Sequence, residues 1–218
     1  MGDSSGDEID SSVSGACDAA YRWPNDPMQV ISQFETRHQN PEAGALLLFA
    51  VWAVDSLYYL GDLDQALDPS QATVGGHSAD VVDVAHARWA VTTCITVLDL
   101  CAAALGRALC GHRNKRELAL GGFDLKRKQQ RATHLRANLQ AEARRWTDNV
   151  LTDPSYREIK AVRDALTHAR LARHLTLPRQ RIRLKLDHKQ LDVPTIIESA
   201  KRVGSKNVSE LLAILPQL

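Results

Sequence analysis

The placement of proline is the feature that most constrains the fold of this chain. The sequence has 12 glycines and 8 prolines among 218 residues, and the prolines lie at the edges of apolar segments. Because proline opens or ends a helix and is disfavoured inside one, the long stretches between prolines are available to helices. This distribution predicts a mainly all-α protein rather than a many-turned sheet protein.

Apolar residues recur at three- and four-residue steps between these breaks, as they do on one face of a helix. The middle of the third segment, from Trp89 to Leu105, is apolar nearly all round and is typical of a central, buried helix. We expect one short helix and four long ones, with the long ones forming a four-helix bundle. The predicted helices cover residues 27–38, 41–67, 79–110, 123–149 and 154–175.

The pattern changes after Pro178. Residues 181–186 alternate basic and apolar, which predicts a strand whose Ile182, Leu184 and Leu186 face inward. Residues 187–190 are a candidate turn into a short partner strand. Two helical patterns then close the sequence, from Pro194 to Val203 and from Val208 to Leu215.

These patterns divide the chain into three parts. Residues 1–22 are rich in serine, glycine and aspartate and lack apolar periodicity, so we expect a disordered acidic tail. Residues 23–175 form the helical bundle. Residues 176–218 form an appendage of a small strand hairpin and terminal helices, packed on the bundle.

A cytoplasmic location is expected. The N-terminal residues are polar and acidic and have no apolar signal region. The most apolar stretch, Ala43 to Leu60, is short for a membrane span and contains Asp55, so we interpret it as a buried helix. The spacing of the four cysteines fits neither a zinc site nor a disulfide framework, and small buried thiols in a reducing compartment are expected instead.

The net charge of +1 conceals a strong asymmetry. Residues 1–111 carry 4 basic and 15 acidic side chains, whereas residues 112–218 carry 23 and 11, so the halves have charges of −11 and +12. A basic half is typical of a nucleic-acid surface. Packing of acidic helices against basic ones would explain the same numbers, and both interpretations stay open at this point.

The last long helix carries the most informative motif, RDALTH, which begins at Arg163 and ends at His168. Arginine followed by histidine five residues later also occurs at Arg107 and at Arg183, so the spacing alone is weak evidence. Those two pairs straddle a helix end and a strand end. Only the pair at Arg163 lies within a continuous amphipathic helix and has an acidic residue, Asp164, in second place.

Helical geometry places the motif relative to the core. Ile159, Val162, Leu166 and Ala169 form the apolar stripe of this helix, and the motif's polar residues lie off that stripe. At about 100° per residue, Asp164 and His168 lie close together, while Arg163 is roughly 140° from His168. One helix alone does not direct Arg163 and His168 at a single point, so the long reach of arginine or a second copy of the helix across a dimer axis is needed.

The motif and the surrounding helical layout resemble HEPN domains, in particular those of prokaryotic defence and toxin systems. The resemblance covers roughly residues 27–175 and implies a metal-independent endoribonuclease that cleaves RNA through its own 2′-hydroxyl as a homodimer. Residue by residue it implies that His168 is the acid/base, that Arg163 clamps the phosphate, and that Asp164 orients the imidazole. A HEPN-like protein can also be non-catalytic, serving dimerisation or the binding of RNA, an antitoxin or another partner in a defence complex.

Further contacts to RNA are expected to involve phosphates, because aromatic residues are only 5% of the sequence. The candidates are basic side chains of the last two long helices: Lys126, Arg127, Lys128, Arg170 and Arg173. The sequence has no glycine-rich phosphate loop and no zinc-protease or hydrolase motif, so no cofactor or metal is expected. Asp99 interrupts an apolar run, and we expect an arginine of a neighbouring helix to accompany it.

Overall fold

The computed structural model describes residues 23, 25–67, 73–74, 77–111, 119–123, 136–167, 183–186 and 189–218. For residues 73–74, 77–80, 122, 183–186 and 189–190 the description covers the backbone only. The described part of the chain is mostly helical, and the predicted all-α class is confirmed at that level. Its six α-helices are α1 (Pro27–His38), α2 (Pro41–Gln65), α3 (Ala79–Cys110), α4 (Ala141–Thr152), α5 (Pro154–Thr167) and α6 (Val193–Ile214).

The ends of the first helices lie where local sequence signals predict them. Asp26 Oδ1 accepts a hydrogen bond from the backbone N–H of Met28 at 2.9 Å, which caps α1. Asn40 caps α2 in the same way, through the N–H of Ala43 at 3.0 Å. The two helices are joined by a tight corner at Gln39, whose φ of 48° is left-handed. At the end of α3, Gly111 adopts a φ of 62°, the usual helix stop of glycine.

Two short hairpins interrupt the helical architecture. The predicted C-terminal hairpin is confirmed as antiparallel strands β3 (Arg183–Leu186) and β4 (Lys189–Asp192), so residues 189–190 are strand rather than turn. The side chains of Ile182, Leu184 and Leu186 lie outside the described part, and their predicted inward orientation stays a prediction. A second antiparallel pair, Thr73–Val74 with His77–Ser78, lies between the predicted helices 41–67 and 79–110.

The helices pack as a bundle around α3 and α6. Helix α2 packs against α1, α3 and α6, and α5 packs against α3, α4 and α6. Two polar contacts show that α2 and α3 run antiparallel: buried Asp64 near the end of α2 is 3.1 Å from His86 Nδ1, and Glu42 at the start of α2 forms an ion pair with Arg107 near the end of α3. Helix α6 supplies buried residues to the same core as α2 and α3. The C-terminal segment predicted as an appendage therefore contributes a central helix.

The predicted helix 123–149 is wrong in its continuity. Residues 120–123 form a 3-10 turn, residues 138–140 are non-helical, and α4 starts only at Ala141. The break buries Leu139 and lets Gln140 donate a hydrogen bond from Nε2 to the carbonyl of Leu218 at 3.1 Å. These tertiary contacts compensate for the helical hydrogen bonds lost at the break.

The two predicted C-terminal helices are a single helix, which corrects the break expected near residues 204–207. Asn207, a weak helix former, is buried and donates from Nδ2 to the carbonyl of Val203 at 2.7 Å. Trp146 of α4 donates from Nε1 to the carbonyl of Asn207 at 2.8 Å. Both polar groups are thus satisfied inside the core, and Gly204 packs against α2 at the side chain of Leu57.

Replacing Gly204 by alanine is expected to stabilise the protein by about 0.5–1 kcal/mol, because alanine is the better helix former. An added Cβ would lie 3.4 Å from Leu57 Cδ1 and 3.7 Å from Val54 Cγ2, which are ordinary van der Waals distances. The free energy of unfolding, measured with urea, tests this. A loss of stability would mean that the α2–α6 contact requires glycine.

Among the described residues, two segments are long and apolar enough to cross a membrane by length and composition alone: α2 and residues Val81–Cys110. A core helix of a soluble protein passes the same test. In the bundle 67% of the apolar window of Val81–Cys110 is buried, but only 44% of that of α2. The interpretation of Ala43 to Leu60 as a buried helix is therefore only half right, since one face of α2 leaves Phe49, Trp52 and other apolar side chains exposed.

Candidate active site

The residues predicted to form the site are only partly within the described structure. Arg163 and Asp164 lie on α5, which is described to Thr167. His168 follows directly and lies outside the described residues. The predicted RNA-contacting residues Lys126, Arg127, Lys128, Arg170 and Arg173 lie outside them too.

Helix α5 is fixed at its start by an aspartate cap. Asp153 Oδ1 accepts a hydrogen bond from the N–H of Ser155 at 2.8 Å, and Pro154 occupies the first turn. Lys206 of α6 binds the other carboxylate oxygen of Asp153 at 3.2 Å. Burial acts to raise the pKa of Asp153, but the bonds from Ser155 and Lys206 together lower it. The cap thus anchors α5 to α6.

The buried stripe of α5 sets the direction of its other side chains. It comprises Tyr156, Ile159, Val162, Ala165 and Leu166, which includes the predicted core positions 159, 162 and 166. Arg163 and Asp164 lie off this stripe, as the helical geometry predicts. The side chain of Arg163 is 32% exposed and that of Asp164 is 43% exposed.

Arg163, Asp164 and Lys160 form a charged cluster at the edge of α5. Arg163 Nη2 is 3.0 Å from Asp164 Oδ1, and Lys160 Nζ is 3.2 Å from Asp164 Oδ2. The Asp164 carboxylate therefore binds two cations of its own helix. The Nε atom of Arg163 is buried and, within the described part of the chain, has no hydrogen-bond partner. The guanidinium is held at one end and keeps unused donor capacity.

Asp99 of α3 lies beneath this cluster. Its Oδ1 accepts a hydrogen bond from the backbone N–H of Leu120 at 2.8 Å. Burial raises the pKa of Asp99, and this effect is only partly offset by the Leu120 N–H and by the positive charges of Arg163 and Lys160. The arginine expected near Asp99 is therefore Arg163, which acts on Asp99 through its positive charge. The hydrogen bond to the Asp99 carboxylate comes from the backbone N–H of Leu120.

The raised pKa of Asp99 predicts a specific pH dependence. The folded protein holds this proton more tightly than the unfolded chain, so the group's contribution to stability is greatest at low pH. It falls as the pH rises from the ordinary value of 3.8 through the folded pKa. The free energy of unfolding of Asp99→Asn, relative to wild type, should therefore increase across that window and then level off.

Urea unfolding at a series of pH values measures this difference, and Asp153→Asn is the matched control. The pKa of Asp153 is lowered, so its contribution is present above the ordinary value and is lost as the pH falls through the folded pKa. The two variants should show opposite slopes. Equal slopes would contradict the opposite environments of Asp99 and Asp153.

The described part of the chain offers neither a metal-binding cluster nor a reactive pair of thiols in its core. It contains no group of three or more histidine, cysteine or acidic side chains placed to hold a metal ion. Cys94 and Cys101 are free and fully buried, and burial raises the pKa of both thiols to about 12. These two cysteines are thus inert core residues, as predicted.

No family model matches the chain, and no curated protein or solved structure matches it. The chemistry must therefore be argued from the cluster on α5. Sequence patterns identified Arg163 and Asp164 as parts of one motif and Asp99 separately, but they did not place Asp99 beside the motif. Lys160 was missed, although its spacing of four residues from Asp164 on one helix is a usable signal.

Proposed function

We propose that the chain is a metal-independent endoribonuclease of the HEPN type, acting as a cytoplasmic homodimer in a toxin or antiphage defence context. One observation carries the proposal. Arg163 is held at the edge of α5, off the buried stripe and partly exposed, five residues before His168. A fixed cation near a histidine is what metal-free cleavage of RNA requires.

The other two arginines that precede a histidine by five residues occupy different positions in the fold from Arg163. Arg107 is buried and forms an ion pair with Glu42 across the α2–α3 pair. Its role is structural, because a buried paired arginine does not meet a phosphate. Arg183 begins a strand of the C-terminal hairpin rather than lying within a helix. Position in the fold therefore favours the motif that begins at Arg163.

The proposed reaction needs no water. The 2′-oxygen attacks the adjacent phosphorus, the bond from phosphorus to the 5′-oxygen breaks, and the products are a 2′,3′-cyclic phosphate and a 5′-hydroxyl. One group must take the proton of the 2′-hydroxyl, and the leaving oxygen must receive one. His168 is the candidate for this proton transfer because imidazole titrates near neutral pH. Arg163 would stabilise the charge that develops on the phosphate oxygens.

Asp164 and Asp99 act as positioning residues in this scheme. Asp164 holds Nη2 of Arg163, and the Asp99 carboxylate lies close enough to interact with the same guanidinium. The unpartnered Nε leaves the guanidinium able to reorganise when a phosphate arrives. Lys160 also binds Asp164 and adds to the positive potential of this face.

A dimer is part of the proposal. Arg163 and His168 are about 140° apart on one helix, so two protomers would complete a site by facing their α5 helices toward each other. The predicted phosphate contacts Lys126, Arg127, Lys128, Arg170 and Arg173 would extend the surface that holds RNA.

Incubation of the purified protein with RNA in the presence of EDTA tests the proposal. Cleavage should persist without divalent metal and yield 2′,3′-cyclic phosphate ends. His168→Ala should lower the rate by at least about 100-fold, since a general acid–base contributes that much or more. His112→Ala and His188→Ala, from the other two pairs, are matched controls and should cleave as wild type does. Equal residual activity in wild type and His168→Ala would refute the site.

A second candidate is a non-catalytic HEPN-like module that dimerises or binds RNA or a protein partner. The observation that favours it is the same charged cluster, because Asp99, Lys160, Arg163 and Asp164 can fix α5 to α3 without any substrate. It predicts salt-dependent RNA binding without cleavage, unaffected by Arg163→Ala.

A further inference from the structure

Helix α2 carries an apolar stripe that faces away from the core. Its members recur at alternating steps of four and three residues, which is the a/d pattern of a coiled coil. All are exposed except Ser56, which is half-buried, and the four large ones, Phe49, Trp52, Tyr59 and Leu63, are at least a third exposed. The α2 stripe comprises Ala45, Phe49, Trp52, Ser56, Tyr59, Leu63 and Ala66.

Within the α2 stripe the large aromatic side chains pack against each other, and the serine makes its hydrogen bond inside its own helix. The rings of Phe49 and Trp52 pack edge to face with centroids 5.6 Å apart. The Ser56 hydroxyl donates to the carbonyl of Ala53 at 2.8 Å, so it is satisfied within its own helix. Small residues at both ends and in the middle leave gaps between the large side chains, as knobs-into-holes packing requires.

One flank of the α2 stripe is acidic. Asp55 and Asp62 are exposed, seven residues apart, and each directly precedes a stripe residue. Partial burial of its carboxyl group raises the pKa of Asp55. Residues 41–65 contain no lysine or arginine. On the other flank, Ala53 and Leu60 pack into the core. A partner bound to the α2 stripe would therefore contact acidic side chains along one flank only.

We propose that the α2 stripe binds an amphipathic helix of a partner protein, one whose apolar a/d seam is flanked by lysine or arginine. The seam of the partner would fill the gaps between Phe49, Trp52, Tyr59 and Leu63. Its basic flank would meet Asp55 and Asp62. Helix-in-groove recognition uses this combination of spaced apolar anchors and complementary charge.

A second copy of α2 fits this surface poorly. In a two-fold dimer the same surface of both copies meets. Antiparallel α2 helices would therefore bring Asp55 against Asp55 or Asp62 of the other copy. Parallel pairing would instead set these carboxylates against Leu60 and Leu67. No cation of α2 is available in either arrangement. An anionic membrane surface is disfavoured for the same reason, because interfacial helices use basic flanks.

This inference is independent of the RNA chemistry. The α2 stripe lies on a different helix from Arg163, and α5 packs against α3, α4 and α6. Loss of partner binding and loss of RNA cleavage are therefore separable by experiment.

Isothermal titration of the full chain with two synthetic helical peptides tests the proposal. Both peptides have about three heptads with leucine at positions a and d; one carries lysine at e and g, and the other carries glutamate there. The lysine peptide is expected to bind at least about tenfold more tightly than the glutamate peptide, with a preference that declines as salt is added.

Substitutions on α2 identify the surface. Trp52→Ser combined with Tyr59→Ser should weaken the lysine peptide by at least about tenfold, since buried aromatic anchors dominate such interfaces. Asp55→Asn combined with Asp62→Asn should remove most of the preference for lysine. Glu210→Gln, an exposed acid on α6, is the matched control and should bind like wild type.

Three results would overturn the proposal. The first is equal binding of both peptides, or binding of neither. The second is a wild-type oligomer that Trp52→Ser with Tyr59→Ser dissociates in sedimentation, which would make the stripe an interface between copies. The third is wild-type binding to phosphatidylserine vesicles that the same double variant abolishes, which would make it a membrane surface. RNA cleavage by all stripe variants should equal that of wild type.

Discussion

Arg163→Ala is expected to lower the rate of RNA cleavage by about 100- to 1,000-fold, the usual loss when one preorganised donor to the developing charge is removed. Arg163→Lys should retain part of the rate, because lysine keeps the charge but not the planar fork that matches a phosphate. Initial rates on a labelled RNA at saturating and limiting concentrations separate the effect on kcat from that on KM.

Arg157→Ala is the matched control for this prediction. Arg157 lies on the same helix, is exposed, and donates from Nε to the carbonyl of Leu151 at 3.1 Å. Its removal should leave the cleavage rate within about threefold of wild type, as for a surface residue outside the site. Unfolding by urea, measured in parallel, checks that Arg163→Ala remains folded without its charge beside Asp99. Equal rates for both alanine variants would remove Arg163 from the proposed site.

Leu57→Ala is expected to reduce the free energy of unfolding by about 2–5 kcal/mol. Leu57 is 0% exposed and packs against α6 at Gly204, which has no side chain to fill the cavity left behind. Urea unfolding monitored by circular dichroism gives the value.

Leu63→Ala makes the same substitution six residues later on α2, at a side chain that is 37% exposed. It should cost less than about 1 kcal/mol, since less apolar surface is returned to water. Comparable losses in both variants would mean that the α2 stripe is covered in the isolated protein.

Helix ends could be predicted because their signals are local. Pro27 and Pro41 each follow a capping side chain, and Gly111 supplies the left-handed residue at the end of α3. Asp153 and Pro154 form the same local signal at the start of α5. Such signals depend on residues within one turn of the helix end, so a sequence contains them in full.

Helix continuity could not be predicted in two places, because tertiary contacts decide it. The break before α4 is favoured by burial of Leu139 and by the bond from Gln140 to Leu218, which is distant in sequence. The unbroken α6 contains the buried Asn207, whose backbone carbonyl accepts a hydrogen bond from Nε1 of Trp146 on another helix. Helix propensity alone favours the opposite outcome at both sites.

In the candidate site, too, local features could be predicted from the sequence and tertiary contacts could not. The position of Arg163 and Asp164 off the core stripe follows from helical periodicity. The approach of Asp99 to Arg163 requires the packing of α3 against α5, which periodicity does not specify. The exposure of Phe49 and Trp52 was missed because α2 is apolar on both faces, and composition cannot show which face the bundle covers.

The central position of α6 has a consequence for folding kinetics. The α2–α3 pair is complete by Cys110, but the helix that covers its core face begins only at Val193. Closing the long loop between α3 and α6 costs more conformational entropy than forming the α2–α3 hairpin, and it is therefore slower. During synthesis the part of the α2–α3 core face that α6 covers therefore stays exposed while more than a third of the chain is still being made. Apolar surface exposed for this interval favours aggregation.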